Sequence, residues 1–125
     1  MTDSHDLLRV ARDARGVVTL TLNDPARFNA LGSDMLAALQ QALDSIAGDA
    51  SVRAVVLAGA GKAFCAGHNL KDMAQHPELA WYQQLFAQCS RVMLTIHKLP
   101  VPVIARVHGM ATAAGCQLVA QCDLA

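Results

Sequence analysis

Three short apolar runs, at residues 17–22, 52–58 and 103–107, are separated by stretches with the spacing of amphipathic helices, and that alternation leaves few folds open. The first run, Val17-Val18-Thr19-Leu20-Thr21-Leu22, is β-branched and alternating, and with residues 7–13 it reads as a pair of strands around Arg15-Gly16. Asn23-Asp24-Pro25 breaks the second strand. Ser33-Asp34 offers an N-cap, after which Met35, Leu36, Leu39, Leu43 and Ile46 share one helical stripe and Gly48 offers a stop. Residues 52–58 read as a buried strand parallel to its neighbours. Residues 78–98 read as a long helix with Leu79, Tyr82, Phe86, Cys89, Met93 and Ile96 inward, ended by Pro100 and Pro102. A strand over 103–107, a short helix from 112 or 113 to 121, and the start of another strand at 122–125 complete the order β-β-α-β-α-β-α-β. That order is α/β with a largely parallel sheet. The terminal apolar strand, with no helix after it, is expected to mark a truncated domain or a surface that needs a partner.

Composition narrows the function. The 125 residues suit one domain, and at 54% apolar they can build a core. Ten basic and ten acidic residues cancel, so no nucleic acid or anionic membrane is expected as a partner. No apolar run approaches the roughly 18 residues of a membrane span. The polar start, Met1-Thr2-Asp3-Ser4-His5-Asp6, lacks the basic and apolar regions of a signal peptide, which sets the expectation of a cytoplasmic protein. The four cysteines form no CxxC pair and read as free thiols.

Several catalytic motifs fail in detail. Gly59-Ala60-Gly61-Lys62 would need glycine where Val56 stands and Ser or Thr where Ala63 stands to form a phosphate loop. The glycines of residues 109–115 lack dinucleotide-binding spacing, and no GxSxG elbow is present. Cys65 and His68 have no second ligand pair, so no metal site is expected.

Two segments remain, each placing small residues where a strand gives way to a helix: Phe64-Cys65-Ala66-Gly67-His68-Asn69-Leu70 and Ala113-Ala114-Gly115-Cys116-Gln117-Leu118. Small residues there allow tight packing, and they also leave backbone N–H groups open to a ligand. Taken with Asn23-Asp24-Pro25-Ala26-Arg27-Phe28-Asn29-Ala30-Leu31, with Pro100-Val101-Pro102-Val103-Ile104, with His108-Gly109 and with Cys122-Asp123-Leu124, these segments resemble, in order, the motifs of the crotonase (enoyl-CoA hydratase/isomerase) superfamily. The run Ala111-Thr112-Ala113-Ala114-Gly115-Cys116-Gln117 most resembles a divergent branch, the enoyl-CoA hydratase domain-containing protein 3 group. The resemblance covers nearly the whole chain but only the N-terminal half of the family's domain.

The resemblance implies a crotonase-type ββα spiral and an acyl-CoA thioester ligand in fatty-acid metabolism, with no separate cofactor because CoA is part of the substrate. It implies that the backbone N–H groups of Ala66 and Ala114 hold the thioester oxygen. The CoA arm would run along Ala26, Phe28, Gly67, His68, Asn69 and Leu70, with Arg27 and Lys71 as the nearest cations for phosphates or as ordinary solvated charges. The full-length protein would be a trimer or hexamer, and the chain ending at residue 125 weak or inactive. Hydratases of the family use two glutamates. Gln117 stands at the first, and the second would lie beyond Ala125. An amide can orient water but cannot take up its proton. Of the remaining carboxylates, Asp72 is expected on the surface and Asp123 at the backbone of a strand start. His68 and His108 are candidates for titration or plain loop residues. The chain therefore reads as a hydratase/isomerase with Gln117 positioning water or, alternatively, as a non-catalytic acyl-CoA-binding or regulatory relative.

Overall fold

A computed structural model of the chain describes residues 6–125, so the polar segment that opens the sequence lies outside the described residues apart from Asp6. Strands β1 (Leu8–Arg12), β2 (Val17–Leu22), β3 (Ala54–Gly59) and β4 (Val103–Ala105) form one sheet in the order β1-β2-β3-β4. The β1/β2 hairpin is antiparallel, and β2, β3 and β4 run parallel, as helix-bearing crossovers require. The crossovers carry α1 (Ser33–Ala47), then α2 (Leu70–Gln75) and α3 (Leu79–Lys98); α4 (Ala114–Gln121) follows β4. After α4 the chain returns to the sheet, where Leu124 bridges Ile104 in parallel and the Asp123 carboxylate accepts from the Val103 N–H at 2.8 Å.

One face of the sheet carries the core. In β2, Val18, Leu20 and Leu22 are buried while the residues between them are only half-buried, and Val55 and Leu57 continue that face in β3. The strand at 52–58 is thus covered fully on one side rather than both. The α1 stripe of Met35, Leu36, Leu39, Leu43 and Ile46 packs there as its spacing predicts.

Three local expectations change. Ser33 does not cap α1. The helix starts at Ser33 with Gly32 before it, the Gly32 carbonyl accepting from Leu36, and the Ser33 hydroxyl turns to Gln88 on α3. Helix α2 has no counterpart in the expected order, because its six residues are too few to show a period; the Asn69 side chain caps it, accepting from the Lys71 and Asp72 N–H groups at 3.0 and 3.3 Å. In α3 the core face is Leu85, Cys89, Val92 and Ile96; Cys89 and Ile96 are buried as predicted, whereas Leu85 and Val92 replace other members of the predicted stripe. The helix is apolar on two adjacent stripes, and periodicity alone cannot choose between them. Leu79 and Phe86 lie outside, at 70% and 46% exposure.

Candidate functional site

The site grows from three loops locked together through backbone. The first follows β2. After a single 3-10 turn at Pro25–Arg27, Phe28 and Asn29 both adopt left-handed backbone, with φ of 54° and 57°. Asparagine tolerates that conformation better than most residues. Asn29 is also the one fully buried polar side chain among the described residues, and every arm of it is used. Its Oδ1 accepts from the Asp24 N–H at 2.8 Å, and its Nδ2 donates to the carbonyls of Ala60, Ala63 and Phe64 at 2.9–3.1 Å. The first loop is thereby fixed to the second, residues 60–69. Cys65 packs beneath, its thiol donating to the Asn29 carbonyl at 3.2 Å. Burial pushes that thiol up to about 11, against the opposing pull of the Gly67 N–H.

The second loop is tied to the third, residues 109–115, as a short parallel bridge between Cys65 and Ala111. The Phe64 and Cys65 N–H groups donate to the Met110 carbonyl, the Thr112 N–H donates to the Cys65 carbonyl at 3.1 Å, and the Thr112 hydroxyl reaches the Ala66 carbonyl at 3.3 Å. Gly115 admits this approach: a Cβ there would overlap the Cys65 carbonyl oxygen and lie 2.8 Å from its carbon. The chain enters α4 through a tight turn closed by the Gly115 N–H on the Thr112 carbonyl at 2.8 Å. Ala113 occupies the second position of that turn at φ 51° and ψ −123°, the geometry of a type II′ turn where glycine is usual. The strain flips the peptide that carries the Ala114 N–H.

Which N–H groups remain free then follows. The expected donor Ala66 is engaged internally: its N–H donates to the Phe28 carbonyl at 3.0 Å. Two residues on, past Gly67 at φ 87°, the His68 N–H has no acceptor among the described residues, and the Ala114 N–H has none either. The two segments touch here, since a Cβ on Gly67 would lie 3.1 Å from the Ala114 nitrogen. Side-chain atoms at residue 67 would obstruct that corner.

Leu31 holds Gly67 and His68 with one bond each. The Leu31 N–H donates to the Gly67 carbonyl at 2.6 Å, and the Leu31 carbonyl lies 3.1 Å from His68 Nδ1. The imidazole packs against Phe86, ring centres 5.4 Å apart. Both line an open groove of about 430 Å³ with Cys89, Met93, Leu94 and Gln117. The outer stripe of α3 is therefore a groove wall. His108 is elsewhere, its Nε2 within 2.6 Å of the Gly61 carbonyl.

Of the residues expected along a CoA arm, Ala26, Phe28 and Leu70 are exposed, and Asn69 serves as the α2 cap. Arg27 faces Asp24 at 3.6 Å and shares a separate cavity of about 240 Å³ with Asp24, Asp34, Asp72 and Asn69. Three carboxylates make that cavity hostile to phosphate. Lys71 is exposed in the first turn of α2.

Residues 12–125 match the enoyl-CoA hydratase/isomerase family. The chain belongs to that family. Among curated relatives, the mitochondrial enoyl-CoA hydratase domain-containing protein 3 of Xenopus laevis is 40% identical over 97% of this chain and 41% of its own length. Among solved structures, an enoyl-CoA hydratase from Mycobacterium smegmatis superposes with a TM-score of 0.93 at 66% identity, covering 94% of this chain and 46% of that one. Human enoyl-CoA hydratase domain-containing protein 3 does so at 0.88 and 37%, with the same coverage. The fold is thus that of the crotonases, and the chain spans about two fifths of the length of the curated relatives it matches. One expectation is overturned: the Xenopus, human and mouse proteins of this group are mitochondrial by name, which points away from the cytoplasm. A polar N-terminal hexapeptide was too little to carry that assignment. Among the described residues no helix is long and apolar enough to cross a membrane.

Asn29, Thr112, Ala113 and Phe86 build this corner and its groove, and none of them acquires an individual role in a site from sequence alone. The signal for Asn29 was present as an asparagine between turn residues and an apolar run. Nothing in the residue type marks Ala113 as strained.

Proposed function

We propose that this chain is the thioester-holding part of an enoyl-CoA hydratase/isomerase-type enzyme of fatty-acid metabolism. The observation that carries the reading is the pair of unpartnered N–H groups, His68 and Ala114, meeting beside an apolar groove. Addition to an enoyl thioester, or proton removal next to one, places negative charge on the thioester oxygen. Two preorganised donors stabilise that charge, and losing one typically costs about 3–4 kcal/mol at the transition state. Ala66 supports the hole through its carbonyl and small side chain while its N–H stays inside the protein.

In this reading the acyl chain lies in the groove between Phe86, Met93 and Leu94, and the CoA arm crosses the exposed Ala26, Phe28 and Leu70. Lys71 serves the phosphates better than Arg27, because no carboxylate is paired with it among the described residues. Relatives named as hydratases and isomerases favour turnover over mere binding. The homotrimer or hexamer expected of the family belongs to the same proposal.

Calorimetry with an acyl-CoA thioester and with the matching thioether, which lacks the carbonyl, tests the reading. The thioester is expected to bind at least tenfold more tightly, which corresponds to about 1.4 kcal/mol. Equal affinity of the two ligands would contradict a carbonyl-holding site.

A further inference from the structure

We propose that the imidazole of His68 is a positioning group, bracing the very peptide whose N–H holds the thioester oxygen; the inference rests on the thioester-holding reading above. The two donors differ in how they are aimed. Both belong to planar trans peptides, so the N–H and the carbonyl of each unit point in opposite directions. Whatever fixes the carbonyl therefore aims the N–H. For Ala114 that carbonyl is Ala113's, which accepts from the Gln117 N–H at 3.1 Å at the start of α4. The helix itself aims this donor. For His68 the carbonyl is Gly67's, and it lies in a loop, where the Leu31 N–H donates to it at 2.6 Å.

A single bond leaves a loop peptide free to turn about its own oxygen. The neighbouring chain restrains it little. On one side Gly67, at φ 87°, is the residue type with the most backbone freedom. On the other, Asn69 caps α2, but that helix has six residues and buries none of them. The His68 side chain supplies the second anchor, with Nδ1 3.1 Å from the Leu31 carbonyl. That oxygen can only accept, so the bond places a proton on Nδ1. Leu31 is a firm base, since its side chain is fully buried in the core. Phe86 packs against the ring, centres 5.4 Å apart, and limits its rotation.

Both backbone groups of Leu31 thus grip consecutive residues, one through the Gly67 carbonyl and one through the His68 ring. The donor between them is fixed from two directions. A dipole already aimed costs no reorientation as negative charge develops on the oxygen. The Leu31 N–H also polarises the Gly67 peptide, which strengthens the N–H at its far end. Backbone and side chain of His68 therefore act together: the ring holds the peptide and the peptide holds the ligand.

Calorimetry with an acyl-CoA thioester and the matching thioether, on wild type, His68→Ala and His68→Asn, tests this. The ratio of the two affinities isolates the carbonyl contact from folding and from the rest of the ligand. Asparagine places an amide donor two bonds beyond Cβ, where histidine places Nδ1. Wild type is expected to favour the thioester at least tenfold, His68→Ala only about twofold, and His68→Asn to stay within about threefold of the wild-type ratio. An alanine variant that keeps the wild-type ratio overturns the proposal, even if both ligands bind it more weakly, because that is the mark of a purely structural residue. An asparagine variant that falls as far as alanine also overturns it. A wild type with no preference for the thioester would instead remove the thioester-holding reading, and this inference with it. Should the alanine variant not fold, nitrogen NMR of the neutral wild-type ring decides: a proton on Nδ1 supports the brace and a proton on Nε2 overturns it.

Discussion

The two sides of the site are built from different materials. Around Asn29, Cys65 and Thr112 nearly every contact is backbone or a buried amide, and three loops are cross-bonded at distances of 2.8–3.3 Å. Around Phe86, Leu94 and Gln117 there is an open groove lined by side chains, with Phe86 and Leu94 each exposed to about half their area. Under the proposed function the first side would hold charge with fixed dipoles, which demands little of residue identity beyond small size and odd backbone angles. The second would have to shape an acyl chain and serve the proton transfers, which depends entirely on which side chains are present. On that proposal a chain can keep its oxyanion corner while its acid–base equipment diverges.

Substitutions can break that contrast, and the largest effect is expected at Asn29. Asn29→Ala leaves the Asp24 N–H and three carbonyls without their buried partner, costing about 3–5 kcal/mol in urea unfolding and loosening both loops at once. A loss below about 1 kcal/mol would mean the loops are held by something else. On the groove side, Gln117→Leu should leave unfolding nearly unchanged, because the residue is exposed, yet lower hydration about tenfold through loss of water orientation. If stability fell and turnover did not, the division between the two sides would be wrong.

A smaller change sharpens the account of the turn. Ala113→Gly relieves a positive-φ residue and is expected to stabilise by about 0.5–1 kcal/mol, whereas Ala113→Val should destabilise. Stabilisation by valine would contradict the strained turn. The smallest effect is a control outside the site. The Ser51 hydroxyl and then the Arg12 guanidinium hold the Asp49 carboxyl well below the usual carboxylate range. A depressed folded value gives stability that is present above the ordinary carboxylate range and lost as pH falls through the folded one. Asp49→Asn should flatten the acid dependence of the melting temperature slightly and leave thioester binding alone.

How much of this was legible follows the same division. Strand order, the α1 stripe and the small-residue loops were readable because alternation, period and residue size leave a direct trace. The core face of α3 was legible only in Cys89 and Ile96, because Leu79, Phe86 and Met93 compete with Leu85 and Val92 on an adjacent stripe. Helix α2 was too short to show a period. The choice between Ala66 and His68 as donor turns on one hydrogen bond to Phe28, which exists only because residues 28 and 29 are left-handed. No residue type announces that.

The central claim is that a thioester oxygen is held by the His68 and Ala114 N–H groups and not by Ala66. Amide proton NMR during titration with an acyl-CoA thioester reads it directly. The account predicts downfield shifts of the His68 and Ala114 amide protons that saturate together, with the Ala66 amide unmoved on its Phe28 carbonyl. A shift at Ala66 without one at His68, or saturation that moves neither His68 nor Ala114, would contradict it.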